Sequence, residues 1–499
     1  MLCGLSDLCG RNAQFQTHSN SKTTKGKGES MANGKLPPYL ESAKPVPKSA
    51  RAPGLMTTGA AFAGIYLWIA YYQRLGNALK LGNLGTVILG VIIGGGLSFA
   101  LYYLVSGMWG MKTGLPLYVV GSSTFGTTGG YFLPGIFMGV LQIGWYSVAT
   151  YFATTLVING LGGKAVTLLG PLAEGEKHGF SALFIIVAVV WGYLFAFFGA
   201  KGIKYVARMA NIFPVVPILM LLIGAIMAIK GLGKFGEVRV ANATPGVPAM
   251  AGMLLAIQLV IGFSATAMAA GADFTQNNRN ASDVKIGGLA GIWGAAVFVG
   301  ILALITVAGA NGANAKLNDF SYAGSLGDVG GFIAKIMLIL FAVGSMAPAC
   351  FCSFIIGNSL STMVPSISRM KWTMGGATVG IILGATGIAG NLESFFGLIG
   401  ASFGPVCGAM AADYLLTGGK WAGPRKGISI PGYVAWALGF LVGISNNTML
   451  GKLRVLETWH PAALYSFVVG FIVYLILAKA GLEPPKEKAY VVTEPPETA

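Results

Sequence analysis

Gln142 and Trp145 stand three residues apart in the apolar run FLPGIFMGVLQIGWYSVATYF, residues 132 to 152. On a helix that spacing puts both on one face, and their depth in the run keeps the indole away from the interfacial belts where membrane tryptophans collect. An indole stacks on a flat ring, while an amide offers a donor and an acceptor to that ring's edge. Facing a cavity, the pair would bind a planar heterocycle. It equally suits a packing role, with Gln142 bonded to a neighbouring helix carbonyl and Trp145 filling a gap.

The ionisable groups in or beside apolar stretches are Arg74, Asp273, Lys335, Glu393 and Asp413. A charge in hydrocarbon is costly, so each is a candidate for function until its depth is known. Arg74, beside Gln73 and two tyrosines, either snorkels outward or binds an anionic group. Asp273 either caps a helix near the inner surface or bonds a loop, and Asp413 reads as structural. Lys335 and Glu393 read as interfacial. An enzyme finds little support: His18, His178 and His460 fall in the tail or in loops, there is no His-Glu-x-x-His, and no pair of intramembrane aspartates is visible. A channel would want a repeated filter or rings of like charge, and neither is present. Cys3, Cys9, Cys350, Cys352 and Cys407 form no Cys-x-x-Cys pair and none neighbours a histidine, which argues against zinc and against disulfides.

These residues sit in a chain that is 54% hydrophobic and only 10% charged over 499 residues, with 75 glycines and a mean hydropathy of +0.70. Soluble domains carry about 25% charged residues, so the composition is that of a polytopic membrane protein in a lipid bilayer. Twelve spans are expected at 55–75, 83–106, 133–158, 180–199, 208–229, 249–271, 286–310, 330–357, 373–389, 393–416, 430–446 and 461–479. Residues 111–131 are too polar and too rich in Gly and Thr to cross, and are expected to form an interfacial helix and loop. Residues 1–50 form a polar N-terminal segment, 51–480 the membrane domain, and the Pro-rich residues 481–499 a disordered tail. Residues 1–30 lack a signal-peptide core, and Met31 is an alternative start. With both termini inside, 22 of the 33 Lys and Arg fall on the inner side and 11 on the outer, the sense of the positive-inside rule. The +16 net charge is spread over short loops, which excludes a nucleic-acid face. The expected location is the plasma (inner) membrane, and nothing in the sequence sets the oligomeric state.

Spans one and six are the unusual pair. Span six reads IGFSATAMAAGADF, residues 261 to 274, a run of small side chains with weak helical persistence, and span one reads GIYLWIAYYQRLGN, residues 64 to 77. Their five-span offset is what a five-plus-five inverted repeat with broken first helices demands, although small residues also simply pack helices.

The blocks PVPKSAR (45–51), KTGL (112–115), FG (125–126), FLPGIFMGVLQIGW (132–145), GADF (271–274), NRN (278–280) and FGPVCGAMAADYLL (403–416) resemble the cytosine permease branch of the nucleobase cation symporter family, over about residues 45–480. The resemblance implies a LeuT-like inverted repeat, about 55–229 and 249–416, with two accessory C-terminal helices at about 430–479. It further implies cation-coupled import of a purine, pyrimidine or related ring, with no cofactor. On it, Trp145 stacks on the ring with Gln142 beside it, and Phe263, Ser264 and Thr266 face the solute from span six. The position of a second stacking aromatic falls on Ser264, and that of a base-reading asparagine on Phe341. A sodium ion would be held by carbonyls of Ala63 and Leu67 and by span-eight positions that map to Gly344 and Ser345, of which only the second keeps a hydroxyl. Sodium or protons remain open as the coupling ion. Ser264, Phe341 and Arg74 also suit a same-fold transporter of another small solute, such as a vitamin precursor, hydantoin-like ring, amino acid or organic anion. A receptor or channel without coupled flux is the remaining alternative.

Overall fold

The computed structural model describes residues 36–171, 178–202, 205, 214–241, 248, 250–448, 450, 460–488 and 490. Each expected span coincides, over its described residues, with helix. The elements are α1 Leu55–Tyr66, α2 Ile69–Tyr72, α3 Leu84–Thr113, the short α4 Leu117–Val120 and α5 Ser122–Phe125. They continue with α6 Tyr131–Gly160, α7 Ala182–Lys201, α8 Val215–Val238 and α9 Ala251–Ala269, and with α10 Gly271–Thr275. The rest are α11 Ala281–Ala313, α12 Tyr322–Gly344, α13 Met346–Met363, α14 Arg369–Thr386, α15 Leu392–Leu416, α16 Ile430–Ile444 and α17 Ala462–Lys479. Nine helical stretches among the described residues are long and apolar enough to cross a membrane, and α1 and α16 are shorter apolar helices.

Helix starts follow the sequence. Asn83, Ser181, Ser368 and Ser429 each accept a backbone N–H from the first turn of α3, α7, α14 and α16, satisfying a donor that has no partner within the helix. Burial separates core from periphery. The apolar stretch of α15 is 89% buried, that of α9 78% and that of α6 67%, against 33% for α7 and α17. The outer helices turn Val190, Ile226 and Phe332 outward, as a lipid solvent requires of helices whose backbone bonds are satisfied internally. Glycine lets α15 and α17 touch backbone to backbone, since a Cβ on Gly408 would lie 2.2 Å from the Phe467 carbonyl oxygen.

Residues 111–131, expected as an interfacial helix and loop, form the short helices α4 and α5, with Leu117 and Val119 to Phe125 buried beside the C-terminal end of α15, where the Ser123 and Thr124 hydroxyls donate to Asp413 Oδ2 at 2.8 and 2.9 Å. One expectation needs correction: the tail is not free from residue 481. Glu483 pairs with Arg425 at 2.9 Å, Lys426 donates to the Pro485 carbonyl, Glu487 donates to the Pro424 carbonyl, and Tyr490 packs edge-on against Trp421. Residues 1–35 and 491–499 lie outside the described residues.

Candidate functional site: an aromatic cluster at the break in span one

Span one is interrupted where α1 meets α2. Leu67 caps the end of α1 (φ −73°, ψ −10°), and Trp68 turns extended (φ −73°, ψ 130°) before Ile69 restarts the helix. Four consecutive large side chains, Tyr66 to Ile69, are all buried there, and the extended turn carries the Trp68 indole across to α6, where its ring centroid lies 5.5 Å from that of Trp145.

Trp145 is 3% exposed. Besides Trp68 it meets Phe263 of α9 edge-on at 5.4 Å and two neighbours on α15, Phe395 edge-on at 5.0 Å and Phe396 at 5.7 Å. Phe263 in turn contacts Tyr66 and Tyr71 of span one. The Trp145 Nε1–H donates to the Thr266 hydroxyl at 3.1 Å. Gln142 lies one turn below, 8% exposed, with its amide nitrogen 3.9 Å from the Met138 sulfur, a weak acceptor. Three other elements therefore converge on one indole of α6.

One donor of this cluster is left over. The Trp68 Nε1 is buried and has no hydrogen-bond partner, whereas the buried Tyr66 hydroxyl lies beside the Ser98 and Ser264 hydroxyls. An orphaned buried polar group costs on the order of 1–3 kcal/mol, is rare in native folds and needs an explanation. A bound ring with carbonyl or imine acceptors at its edge would supply one.

The remaining expected site residues separate. Ser264 does not face Trp145: its hydroxyl points to Ser98 at 3.1 Å and to the Val260 carbonyl, one residue off the face that carries Phe263. Phe341 packs with Tyr72 and Tyr322 instead, and Tyr71 and Tyr72 link that group to the Trp145 cluster. Of the cation positions, the Ala63 carbonyl accepts the Leu67 N–H, and the Leu67 carbonyl faces the Tyr72 hydroxyl at 3.5 Å. The Ser345 hydroxyl donates to its own helix at the Phe341 carbonyl, and Gly344 presents its α-carbon to Pro217 of α8. Arg74 is half-buried just past the C-terminal end of α2, within electrostatic range of the Tyr151 phenol about two turns along α6 from Trp145, and so lies outside the cluster.

Span six is also interrupted, but below the stretch expected to face the solute. Residues 263–266 are regular helix in α9, and the break falls at Ala270 (φ −72°, ψ 13°). The cause lies on α3. The Ser106 hydroxyl donates to the Ala269 carbonyl at 2.6 Å and accepts from the Ala272 N–H at 3.0 Å, taking over the backbone groups that the interruption releases. Gly271 fits because a Cβ there would meet the Tyr103 ring at 2.9 Å. Neither Ser106 nor Trp68 stood out by residue type, although the aromatic run of span one was a visible signal. The Phe395–Phe396 doublet carried none.

A family model described as permeases for cytosine/purines, uracil, thiamine and allantoin matches residues 45–470. The cytosine permeases of Escherichia coli strain K12 and of Escherichia coli O157:H7 are 27% identical to the chain over 397 residues, covering 74% of this chain and 80% of the relative. Among solved structures, Mhp1, a nucleobase-cation-symport-1 family transporter in a closed conformation with bromovinylhydantoin bound, gives a TM-score of 0.60 at 17% identity, over 92% of this chain and 97% of its own. Inward-facing Mhp1 gives 0.62 at 15%, covering 89% and 96%. MhsT in complex with L-phenylalanine gives 0.52 at 15%, covering 85% and 98%. The structural likeness carries the fold: two broken helices five spans apart in a bundle of this size. The family model carries more, since its match extends from the segment before span one into the last helix, and by it the chain belongs to the family of permeases for cytosine/purines, uracil, thiamine and allantoin.

Proposed function

We propose that the chain imports a purine, pyrimidine or related heterocycle by alternating access, coupled to a cation, and that the Trp145 cluster is its solute site. As a permease it moves a solute between two aqueous sides and needs no bond chemistry. The observation that carries the assignment of the site is the convergence of span one, α9 and α15 on Trp145 of α6, with the unpaired Trp68 Nε1–H in the same cluster. Stacking on the indole would supply affinity, and that donor would read an acceptor on the ring edge. Gln142 and Thr266 complete the polar edge. The interruptions at Trp68 and Ala270 are where two inverted repeats would rock against each other. Both termini are read as cytoplasmic and the location as the plasma membrane, on the excess of Lys and Arg on that side.

Purified protein in vesicles, offered a panel of labelled nucleobases, hydantoins and related rings, tests this. Accumulation of at least one ring, lost in Trp145→Ala, is the expected result. A same-fold transporter of a different small solute is the second reading, favoured by Ser264 and Phe341 pointing away from Trp145. Accumulation confined to a non-heterocyclic amino acid or organic anion would establish it.

A further inference from the structure

Asn159, in the last turn of α6, and Lys335 of α12 line a cavity of about 250 Å³ that the Trp145 cluster does not use. Asn159 stands about 21 Å along α6 from Trp145, at a rise of about 1.5 Å per residue. The space exists because α12 offers backbone there instead of side chains. Gly331 takes φ 49° and ψ −122° inside the helix, a conformation that glycine adopts without strain, and a Cβ on Gly327 or on Gly331 would meet nothing within 4 Å. At roughly 30 Å³ per water the cavity has the room of about eight, more than a lone ion fills.

The donors that line it are unengaged. Among the described residues neither the Lys335 ammonium nor the Asn159 amide has a hydrogen bond or an ion pair, and no carboxylate lines the cavity. The one carboxylate of α12, Asp328, accepts from the Asn314 amide at 2.8 Å. A Cβ on Gly162 would lie 3.4 Å from the Lys335 Nζ, so the ammonium is level with the end of α6, where the apolar stretch gives way to a loop.

The rim is apolar. Leu161, which follows α6, and Phe332, Ile333 and Ile336, which flank Lys335 on α12, are all exposed, and in a membrane chain such side chains face lipid. Leu338 adds an apolar contact inside the cavity. A cation within a stretch apolar enough to cross a membrane calls for an anionic partner, and among the described residues the chain supplies none. The partner has to bring negative charge, hydrogen-bond acceptors and hydrocarbon together.

We propose that this cavity seats the phosphate of an anionic glycerophospholipid, with the Lys335 ammonium and the Asn159 amide donating to its oxygens and the acyl chains lying along Leu161 and Phe332. A dissolved phosphate shares the acceptor chemistry but leaves the apolar rim uncovered. The assignment is independent of the transport reading, since it takes no residue from the Trp145 cluster.

The test is native mass spectrometry of the full chain released from micelles that hold equal amounts of phosphatidylglycerol and phosphatidylcholine. Wild type should retain one phosphatidylglycerol with about fivefold higher affinity than Lys335→Gln does, since one lysine near an anionic surface is worth about 1 kcal/mol. Lys335→Arg should keep the lipid. Gly327→Leu preserves the charge but fills the cavity, and open space around its Cβ lets the fold accept it; it should lose the retained lipid as well. Melting temperatures without added lipid check that the variants fold. In wild type alone, a phosphatidylglycerol with a photoreactive headgroup should label residues 155–164 and 322–338, and inorganic phosphate at the same concentration should not protect them. Retention unchanged in Gly327→Leu or in Lys335→Gln, or labelling confined to other segments, would overturn the proposal. Protection by inorganic phosphate would overturn it too, by assigning the cavity to a dissolved anion.

Discussion

Trp145 of α6 and Thr266 of α9 are joined by an indole-to-hydroxyl hydrogen bond of 3.1 Å, so the ring proposed to carry the solute is held in place by the helix opposite. That bond fixes the indole plane between Trp68 and Phe396.

Replacing Trp145 by Ala removes one stacking face, about 1–3 kcal/mol by the scale of base-on-aromatic contacts. Equilibrium binding of the transported ring should weaken roughly 5- to 150-fold, read by calorimetry or competition. Thr266→Val keeps the shape but leaves the indole N–H unpaired, and should weaken binding less than Trp145→Ala does. Equal affinity in all three proteins would exclude the indole as the solute's platform.

Trp68→Phe separates recognition from packing. It keeps an aromatic ring in the cluster and deletes the buried Nε1–H that has no partner. Thermal stability without solute should hold or rise, since an unsatisfied donor is removed. Affinity for a ring with an edge acceptor should fall by about tenfold, the scale of one hydrogen bond.

Near the C-terminal end of α15, Asp413 is fully buried and accepts from Ser123, Thr124 and Arg425. Arg425→Met alone leaves that carboxylate without its counter-charge and should destabilise by about 3–5 kcal/mol, seen as a fall in melting temperature. Adding Asp413→Leu to the same protein should recover much of the loss, because an apolar pair replaces a buried ionic one. No recovery would mean that the ionic pair stabilises the fold beyond its desolvation cost.

Ser106→Ala should destabilise by about 1–3 kcal/mol, since the Ala272 N–H and the Ala269 carbonyl both lose their partner at the interruption of span six. Ser106→Thr, which keeps the hydroxyl, should lose less. The melting temperatures of the two variants give the comparison.

Hydropathy made the spans legible because hydrocarbon demands unbroken apolar runs, and the same demand made Trp145 and Asp413 stand out as exceptions. The interruption of span six was visible as a run of small residues, but its position was not. Where a weak helix breaks depends on which neighbour can adopt the released backbone groups, and that neighbour, Ser106, is 166 residues away in the chain. The direction of Ser264 was hidden for a related reason: adjacent helical residues differ by about 100° in direction, so Phe263 turns to the indole while Ser264 turns to Ser98. The buried α4 and α5 were hidden by their own polarity, since Ser122, Ser123 and Thr124 look solvent-facing until a buried carboxylate is set beside two of them. Phe395 and Phe396 gave no sign at all, because two phenylalanines in an apolar helix are ordinary.

The clasp at Arg425 has a mechanical consequence for α15. Its C-terminal third is moored to the α4–α5 segment, to the loop that follows it and, through Tyr474 and Glu483, to the last helix and tail. A swing there would have to rupture several contacts at once. The same helix carries Pro405 midway, which removes one backbone bond and weakens the rod at that point. Phe395 and Phe396 stand on the other side of Pro405 from this mooring, so the segment that covers the indole is the one the clasp does not hold.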